Sequence, residues 1–162
     1  MNRAFPAFLL LVLAAPAAAR DSLGVFEGWG AFRDANPARC YAIAEPEEGE
    51  SGGSHRPFAA ISWWPKNGVK GQIHFRLRYD RGDGRDVMLH VGSKRWRLAP
   101  GKGDAWAPSA RHDAYIIAKI RQSTSMSIST TGPKGGRFTD VYALQGAASA
   151  MDAAALGCAR AR

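Results

Sequence analysis

The sequence lacks the short motifs that carry the commonest enzymatic chemistries. It contains no Gly-x-Ser-x-Gly nucleophile segment, no complete glycine-rich phosphate loop and no histidine spacing typical of a metal site. The glycine pairs at 82–84 and 101–103 lack the rest of a phosphate-binding motif and are better interpreted as turns. We therefore predict a non-enzymatic protein with no catalytic residues, no cofactor and no metal ion.

Carboxylates leave one enzymatic alternative open. A glycosidase needs two of them facing one cleft, about 5 to 10 Å apart. The aspartates between residues 80 and 140 fall mostly in expected turns, and nothing in their spacing pairs any two. The alternative is a small envelope hydrolase whose carboxylates are brought together by the fold.

Long apolar runs are also scarce. Residues 5–15 form the most apolar stretch, which follows a basic residue and precedes small residues at Ala17 and Ala19, the order of a secretory signal peptide. A membrane-spanning helix needs roughly 20 apolar residues, more than this run provides. We expect residues 1–19 to be a cleaved signal peptide and residues 20–162 to form one mature domain that lies outside the cytoplasm and does not span the membrane.

Only two cysteines are present, Cys40 and Cys158. Zinc sites use cysteines in closely spaced groups, and redox centres usually use Cys-x-x-Cys, so this wide spacing suits neither. Thiols are usually oxidised outside the cytoplasm. We therefore predict that the two cysteines form one disulfide.

Acidic residues are too few to balance the basic ones. Lysines and arginines number 22 against 14 aspartates and glutamates, which gives a formal net charge of +8. This balance favours anionic partners such as phospholipid headgroups, lipopolysaccharide, acidic polysaccharide or nucleic acid. The charge does not choose among them, and specific nucleic-acid recognition is not expected.

Alternating apolar and polar residues, by contrast, are abundant. Segments of about six such residues, separated by Gly, Pro, Asn or Asp, are typical of antiparallel strands. They are predicted at 40–44, 58–64, 73–79, 87–91, 95–98, 124–131 and 138–144, with the third to fifth forming a meander. Helical spacing predicts a helix after a Ser109 N-cap and an Ala-rich helix over 146–156 that ends at Gly157. The predicted fold is mainly β, an antiparallel β-sandwich or partly closed barrel with two short helices, the second at the C-terminus.

Basic side chains alternate with apolar ones along the predicted meander. If Ile73 and Leu89 face the core, the basic set must lie on the opposite face. The candidate residues for binding an anion or a partner protein on this face are His74, Arg76, Arg78, His90, Arg95 and Arg97. Trp64 joins them because Trp63 and Trp64 are consecutive in a strand, and only one can face the core. The alternative is a solvated strand face, and the counter-charge is either a ligand or the acidic loop at 45–50.

The C-terminal third shows an ordered series of segments. A helix ends at 116–120, a Ser- and Ile-containing strand covers 125–128, and residues 139–146 contain a Leu-x-Gly turn before the Ala-rich helix and Cys158. This order resembles the invasion-associated locus B family of alphaproteobacterial exported proteins. Phe26 to Trp29, followed by Cys40, is similar to that family's N-terminal Trp and Cys.

The resemblance implies a β-sandwich-type fold with a disulfide, located in the periplasm or at the cell surface. It also implies a link with the cell envelope or with host interaction, and it carries over no catalytic residues. Together with the composition, it predicts an exported non-enzymatic protein that binds an anionic envelope component or a partner protein.

Overall fold

The computed structural model of the protein describes residues 20–47 and 52–159. The predicted signal peptide and part of the acidic loop lie outside the described residues. Within them the strands are β1 (Arg20–Phe26), β2 (Trp29–Asp34), β3 (Arg39–Ala44), β4 (Phe58–Trp64), β5 (Val69–Arg76), β6 (Val87–Val91), β7 (Lys94–Pro100), β8 (Asp104–Trp106), β9 (Ser125–Thr131) and β10 (Arg137–Ala143). The two α-helices are α1 (Ala110–Ile120) and α2 (Ala147–Ala159), and a 3-10 turn covers Pro65–Asn67. No helix among these residues is long and apolar enough to cross a membrane.

The ten strands form one antiparallel sheet in the order β1-β2-β3-β4-β5-β8-β7-β6-β9-β10. Strand β7 pairs with β6 along residues 94–98 and with β8 along residues 99–100. It therefore links two groups of strands, and the sheet curls into a half-barrel. The predicted mainly β fold, a partly closed barrel with two helices and the second at the C-terminus, is confirmed.

The core fills the inside of the curled sheet. Successive side chains of a strand point to opposite faces, so one alternating set is buried. Ile61, Ile73, Phe75, Leu89 and Ile128 are all at most 1% exposed.

Helix α2 packs across β1 to β4 through small side chains. Ala150 and Ala154 are fully buried, so the helix approaches the sheet closely. A Cβ at Gly157 would lie 2.5 Å from Leu23 of β1, and the glycine therefore serves this close approach. The prediction that α2 ends at Gly157 is wrong, because the helix continues to Ala159.

A disulfide joins Cys40 of β3 to Cys158 of α2 and confirms the predicted pairing. It holds α2 against the sheet, and the two cysteines are 118 residues apart in sequence. A bridge across so long a loop removes much conformational freedom from the unfolded chain.

Helix α1 begins at the predicted N-cap, where the Ser109 hydroxyl accepts a hydrogen bond from the His112 backbone N–H. Its Asp113 is buried and accepts a hydrogen bond from the Ile73 backbone N–H at 2.8 Å. On the β5 side, β8 pairs with residues 74–76 and stops before Ile73, so Asp113 occupies the position next to the end of β8. Burial raises the pKa of Asp113, and the Ile73 hydrogen bond partly offsets this rise.

The predicted meander is wrong in one respect. Strands β6 and β7 do pair with each other, but β5 pairs with β4 and β8 instead of β6. The sequence analysis did not predict β8, because three residues are too few for a visible alternation. Strand β5 also begins at Val69 and ends at Arg76, earlier at both ends than expected.

Candidate functional site

The outer face of the sheet divides into two regions of different chemistry. The aromatic region covers β2 to β5 and β8, where outward positions hold Phe32, Tyr41, Phe58, Trp64, His74 and Trp106. The basic region covers β6, β7 and β9, where outward positions hold His90, Arg95, Arg97, Ser127 and Ser129. The sequence-predicted site residues are distributed between them.

The basic region has a simple register. His90 lies between Arg95 on β7 and Ser127 on β9, while Met88 lies between Arg97 and Ser129. The region therefore presents two guanidiniums, an imidazole and the Ser127 hydroxyl on neighbouring strands, whereas Ser129 is 5% exposed. All of these groups can donate hydrogen bonds to an anion.

Counter-charge is scarce in the basic region. The Arg97 guanidinium lies 3.1 Å from the Asp86 carboxylate, with the two side chains 70% and 51% exposed. Pairs this exposed are screened by water and contribute little. Arg95 is exposed, and no carboxylate in the described part of the chain lies within ion-pair distance of it.

His74 and Arg76 lie in the aromatic region, where Asp104 of β8 binds both. The Asp104 carboxylate oxygens lie 2.8 Å from His74 Nε2 and 2.6 Å from an Arg76 guanidinium nitrogen. The His74 ring also stacks on Trp106 with the centroids 5.1 Å apart. The structure therefore separates these two residues from Arg95 and Arg97, and Asp104 already supplies their counter-charge.

Arg78 is in a third environment. Strand β5 ends at Arg76, the outward–inward alternation stops, and both Leu77 and Arg78 are buried. The Arg78 guanidinium donates a hydrogen bond to the fully buried Asp140 of β10. Burial raises the pKa of Asp140, and the contact with Arg78 opposes this rise. The prediction that Arg78 lies on the exposed basic face is therefore wrong.

Trp64 lies on the outer face and Trp63 packs against the core, as the alternation predicts. The Arg39 guanidinium covers Trp64 at 5.1 Å from a ring centroid and also lies 4.2 Å from that of Tyr41. Cation–π contacts of this kind stabilise by about 0.5 to 2 kcal/mol. Trp64 is thus partly covered by the protein's own side chains.

Asp34 holds the arginines of this stack in place. Its carboxylate oxygens lie 3.2 Å from Arg20 and 2.7 Å from Arg39. Burial raises the pKa of Asp34, but hydrogen bonds from Arg39 and Arg20 outweigh it, so the pKa is lower than usual. The aromatic region is therefore balanced in charge by its own aspartates.

Sequence reasoning missed these counter-charges. Asp34, Asp104 and Asp140 come from three separate strands, and no local pattern links them to the arginines they bind. In the described part of the acidic loop, Glu45 pairs with Arg56 at 2.6 Å and not with the predicted basic face. Only the pairing of distant strands reveals which arginines are neutralised.

Gly103 lies between the Asp80 carboxylate and the side chain of Arg76. A Cβ there would lie 2.9 Å from Asp80 and 3.1 Å from the Arg76 guanidinium that binds Asp104. A hydrogen bond from His55 lowers the pKa of Asp80, and Lys102 lowers it further. A glycosidase acid needs a raised pKa, so Asp80 does not suit that role.

Comparison with known proteins gives one structural relative. No family model matches the chain, and no curated protein sequence is significantly similar to it. Among solved structures, the chain is similar to the crystal structure of invasion associated protein B from Bartonella henselae. The identity is 14%, the match covers 83% of this chain and 96% of that chain, and the TM-score is 0.58. The resemblance to the invasion-associated locus B family is thereby supported at the level of the fold.

Proposed function

We propose that this protein is an exported, non-enzymatic component of the cell envelope that binds an anionic envelope molecule through the basic region. The observation that carries the proposal is the exposure of Arg95 and Arg97 on β7 beside a single carboxylate of the described residues, that of Asp86, which is itself 51% exposed. A guanidinium binds phosphate or carboxylate with two parallel hydrogen bonds. The hydroxyl of Ser127 lies two strands away, with β6 between it and β7.

Export is supported by two further observations. The disulfide between Cys40 and Cys158 suits an oxidising compartment such as the periplasm. The fold neighbour is itself described as invasion associated, in agreement with a location where an envelope component is within reach.

The proposal predicts that binding depends on these two arginines and not on net charge. In an Arg95→Ala, Arg97→Ala variant, the Kd for vesicles containing phosphatidylglycerol should rise by about tenfold, because two exposed charge contacts contribute about 0.5 to 1 kcal/mol each. Wild-type binding should weaken as salt is added. Vesicles of zwitterionic phosphatidylcholine are the lipid probe without net charge. Immobilised heparin is the anionic probe that is not a lipid.

The matched control is a Lys66→Ala, Arg111→Ala variant. It removes the same two charges from exposed positions on the 3-10 turn and on α1. Its affinity should stay within about twofold of the wild type, which is the size of ordinary surface effects. Equal losses in both variants would mean that only net charge matters, and no loss in either would place the functional surface elsewhere.

A further inference from the structure

A cavity lies beside the basic region. It has a volume of about 580 Å³ and opens between the β9–β10 turn and the residues that follow β5. This volume is within the usual range for small-molecule sites. None of the residues of the basic region lines it.

Backbone hydrogen bonds hold the walls of this cavity. Gly132 N–H donates to the Gly136 carbonyl at 2.8 Å and closes the β9–β10 turn. Gly82 N–H donates to Thr131 at 2.8 Å, and His55 N–H donates to Arg78 at 3.0 Å on the opposite side. The cavity is therefore formed before any ligand arrives.

Two aromatic rings provide the apolar surface of the cavity. The rings of Tyr79 and Phe138 pack edge to face with their centroids 5.4 Å apart. Phe138 is 6% exposed, whereas Tyr79 is 36% exposed, so Tyr79 is the ring that a ligand reaches. Pro133 adds a further apolar surface. Such a lining accepts a compact ring with at least one apolar face.

The charged groups of the cavity have an excess of positive charge. Asp80 is already bound on both oxygens, by His55 at 2.9 Å and by Lys102 at 3.5 Å. Lys134 and Arg137 also line the cavity, and neither has a carboxylate within ion-pair distance in the described ranges 20–47 and 52–159. A ligand with a negative group therefore fits this side of the cavity.

The remaining polar groups favour a hydroxylated ligand. A carboxylate has about four lone-pair positions, so Asp80 can accept further hydrogen bonds from hydroxyls. Its lowered pKa keeps it ionised at neutral pH. Ser54 supplies a hydroxyl at the rim. A flat aromatic acid offers no hydroxyl to the remaining acceptor positions of Asp80, and a neutral sugar offers no negative charge to Lys134 and Arg137.

We infer that this cavity binds an acidic pyranose, a sugar ring that carries a carboxylate, with the ring on Tyr79, hydroxyls on Asp80 and the carboxylate on Lys134 and Arg137. The same chemistry is presented by a free uronic acid and by a unit of an acidic polysaccharide. The site contains neither Arg95 nor Arg97. Its Arg137 donates a hydrogen bond to the Ser129 hydroxyl of the basic region at 3.5 Å, but the site and the proposed function rest on different cations and can fail separately.

Saturation-transfer NMR and calorimetry with galacturonate test this inference. Galacturonate should bind about tenfold more tightly than galactose, because only the acid engages the two cations. Benzoate, which has the charge but no hydroxyls, should also bind more weakly. Oligogalacturonate distinguishes the sources: a gain beyond the monomer indicates a polysaccharide and equal affinity indicates a free acid, and either result supports the site.

Variants locate the site. Tyr79→Ala should lower galacturonate affinity about tenfold, as should Lys134→Ala with Arg137→Ala, while Tyr79→Phe should retain most of it. Tyr115→Ala is the matched control, because Tyr115 is an exposed tyrosine on α1, outside the cavity. Melting curves check that each variant folds. If Tyr79→Ala does not fold, the Tyr79→Phe variant still tests the site.

Three results would overturn the inference. They are no detectable binding of galacturonate, equal binding of galactose and galacturonate, or equal losses in the Tyr79→Ala and Tyr115→Ala variants. The Arg95→Ala, Arg97→Ala variant separates the two proposals. It should bind galacturonate normally even where it loses binding to anionic vesicles.

Discussion

Arg76 and Arg97 occupy equivalent outward positions on one sheet, yet they have different surroundings. Arg76 is 31% exposed and pairs with Asp104, which is 25% exposed. Arg97 is 70% exposed and, among the residues that the structure describes, pairs with Asp86 alone, which is 51% exposed. Water and salt screen the partly buried pair less than the exposed pair, so the partly buried pair keeps more of its electrostatic attraction.

The neighbouring strand causes this difference. Strand β8 places Asp104 directly opposite Arg76, whereas β6 places Met88 opposite Arg97. The same alternation of arginine with apolar residues therefore produces an internal ion pair in the aromatic region and an open cationic surface in the basic region. An arginine pattern in a strand indicates a binding surface only after the facing strand is known.

The largest expected effect concerns the disulfide, which supports only the side of the sheet that carries the aromatic region. Replacing Cys40 and Cys158 by serine should lower the free energy of unfolding by about 4 to 5 kcal/mol, the chain-entropy value for a loop of this length. Hydrogen exchange should then rise first in β1 to β4, against which α2 packs. A uniform rise over β1 to β10 would contradict this division of the sheet.

Arg78 provides the next largest effect. Arg78→Met should destabilise the protein by about 3 to 5 kcal/mol, because it leaves the fully buried Asp140 without its cation. An additional Asp140→Leu change should restore much of the loss, since no buried charge is left unpaired. Urea unfolding of the single and double variants measures the destabilisation and its recovery. An Arg78→Met effect as small as that of Arg97→Ala would show that Arg78 is exposed in solution.

Asp104→Ala should make the aromatic region resemble the basic region. Loss of the hydrogen bonds to His74 and Arg76 should cost about 1 kcal/mol or more in thermal or urea unfolding. Retention on immobilised heparin should increase, because two basic groups lose their internal partner. Asp86→Ala is the control, with a comparable gain in retention but a stability change within about 0.5 kcal/mol. If the two variants are equally stable, the proposed difference between the regions is absent.

The smallest effect is a pH dependence in the aromatic region. The pKa of Asp34 is lower in the folded protein than in the unfolded chain, so its stabilisation is present above the unfolded value of about 3.9 and is lost as pH falls through the folded one. Melting temperatures between neutral pH and about pH 3 should fall less steeply for Asp34→Asn than for the wild type. Parallel curves for the two proteins would exclude this role of Asp34.

Many local features were predictable because they depend on short-range patterns. Strand β4 matches its predicted bounds at both ends, and the Ser109 N-cap lies where expected. Strands β1 and β2 were missed, because glycines and charged residues interrupt their alternation. Gly157 was misread as a helix end, since a contact with a residue as distant as Leu23 leaves no local signal.

The candidate site was predictable only in part, because some of its contacts join residues that are distant in sequence. The alternation correctly placed Arg76, Arg95 and Arg97 outward, and it failed at Arg78 because the strand had already ended. Whether the outward residues bind an anion stays a prediction. The cavity beside Tyr79 had no sequence signal, since its walls come from three separate segments.

The sequence by itself determined the mainly β fold, the two helices and the disulfide, because alternation, capping and cysteine count are local or compositional properties. Only the tertiary structure decided which basic residues are neutralised. Asp34, Asp104 and Asp140 reach their arginines through strand pairing and core packing, and electrostatic pairing depends on distance in space. A strand of three residues, β8, was sufficient to divide one predicted basic face into two regions.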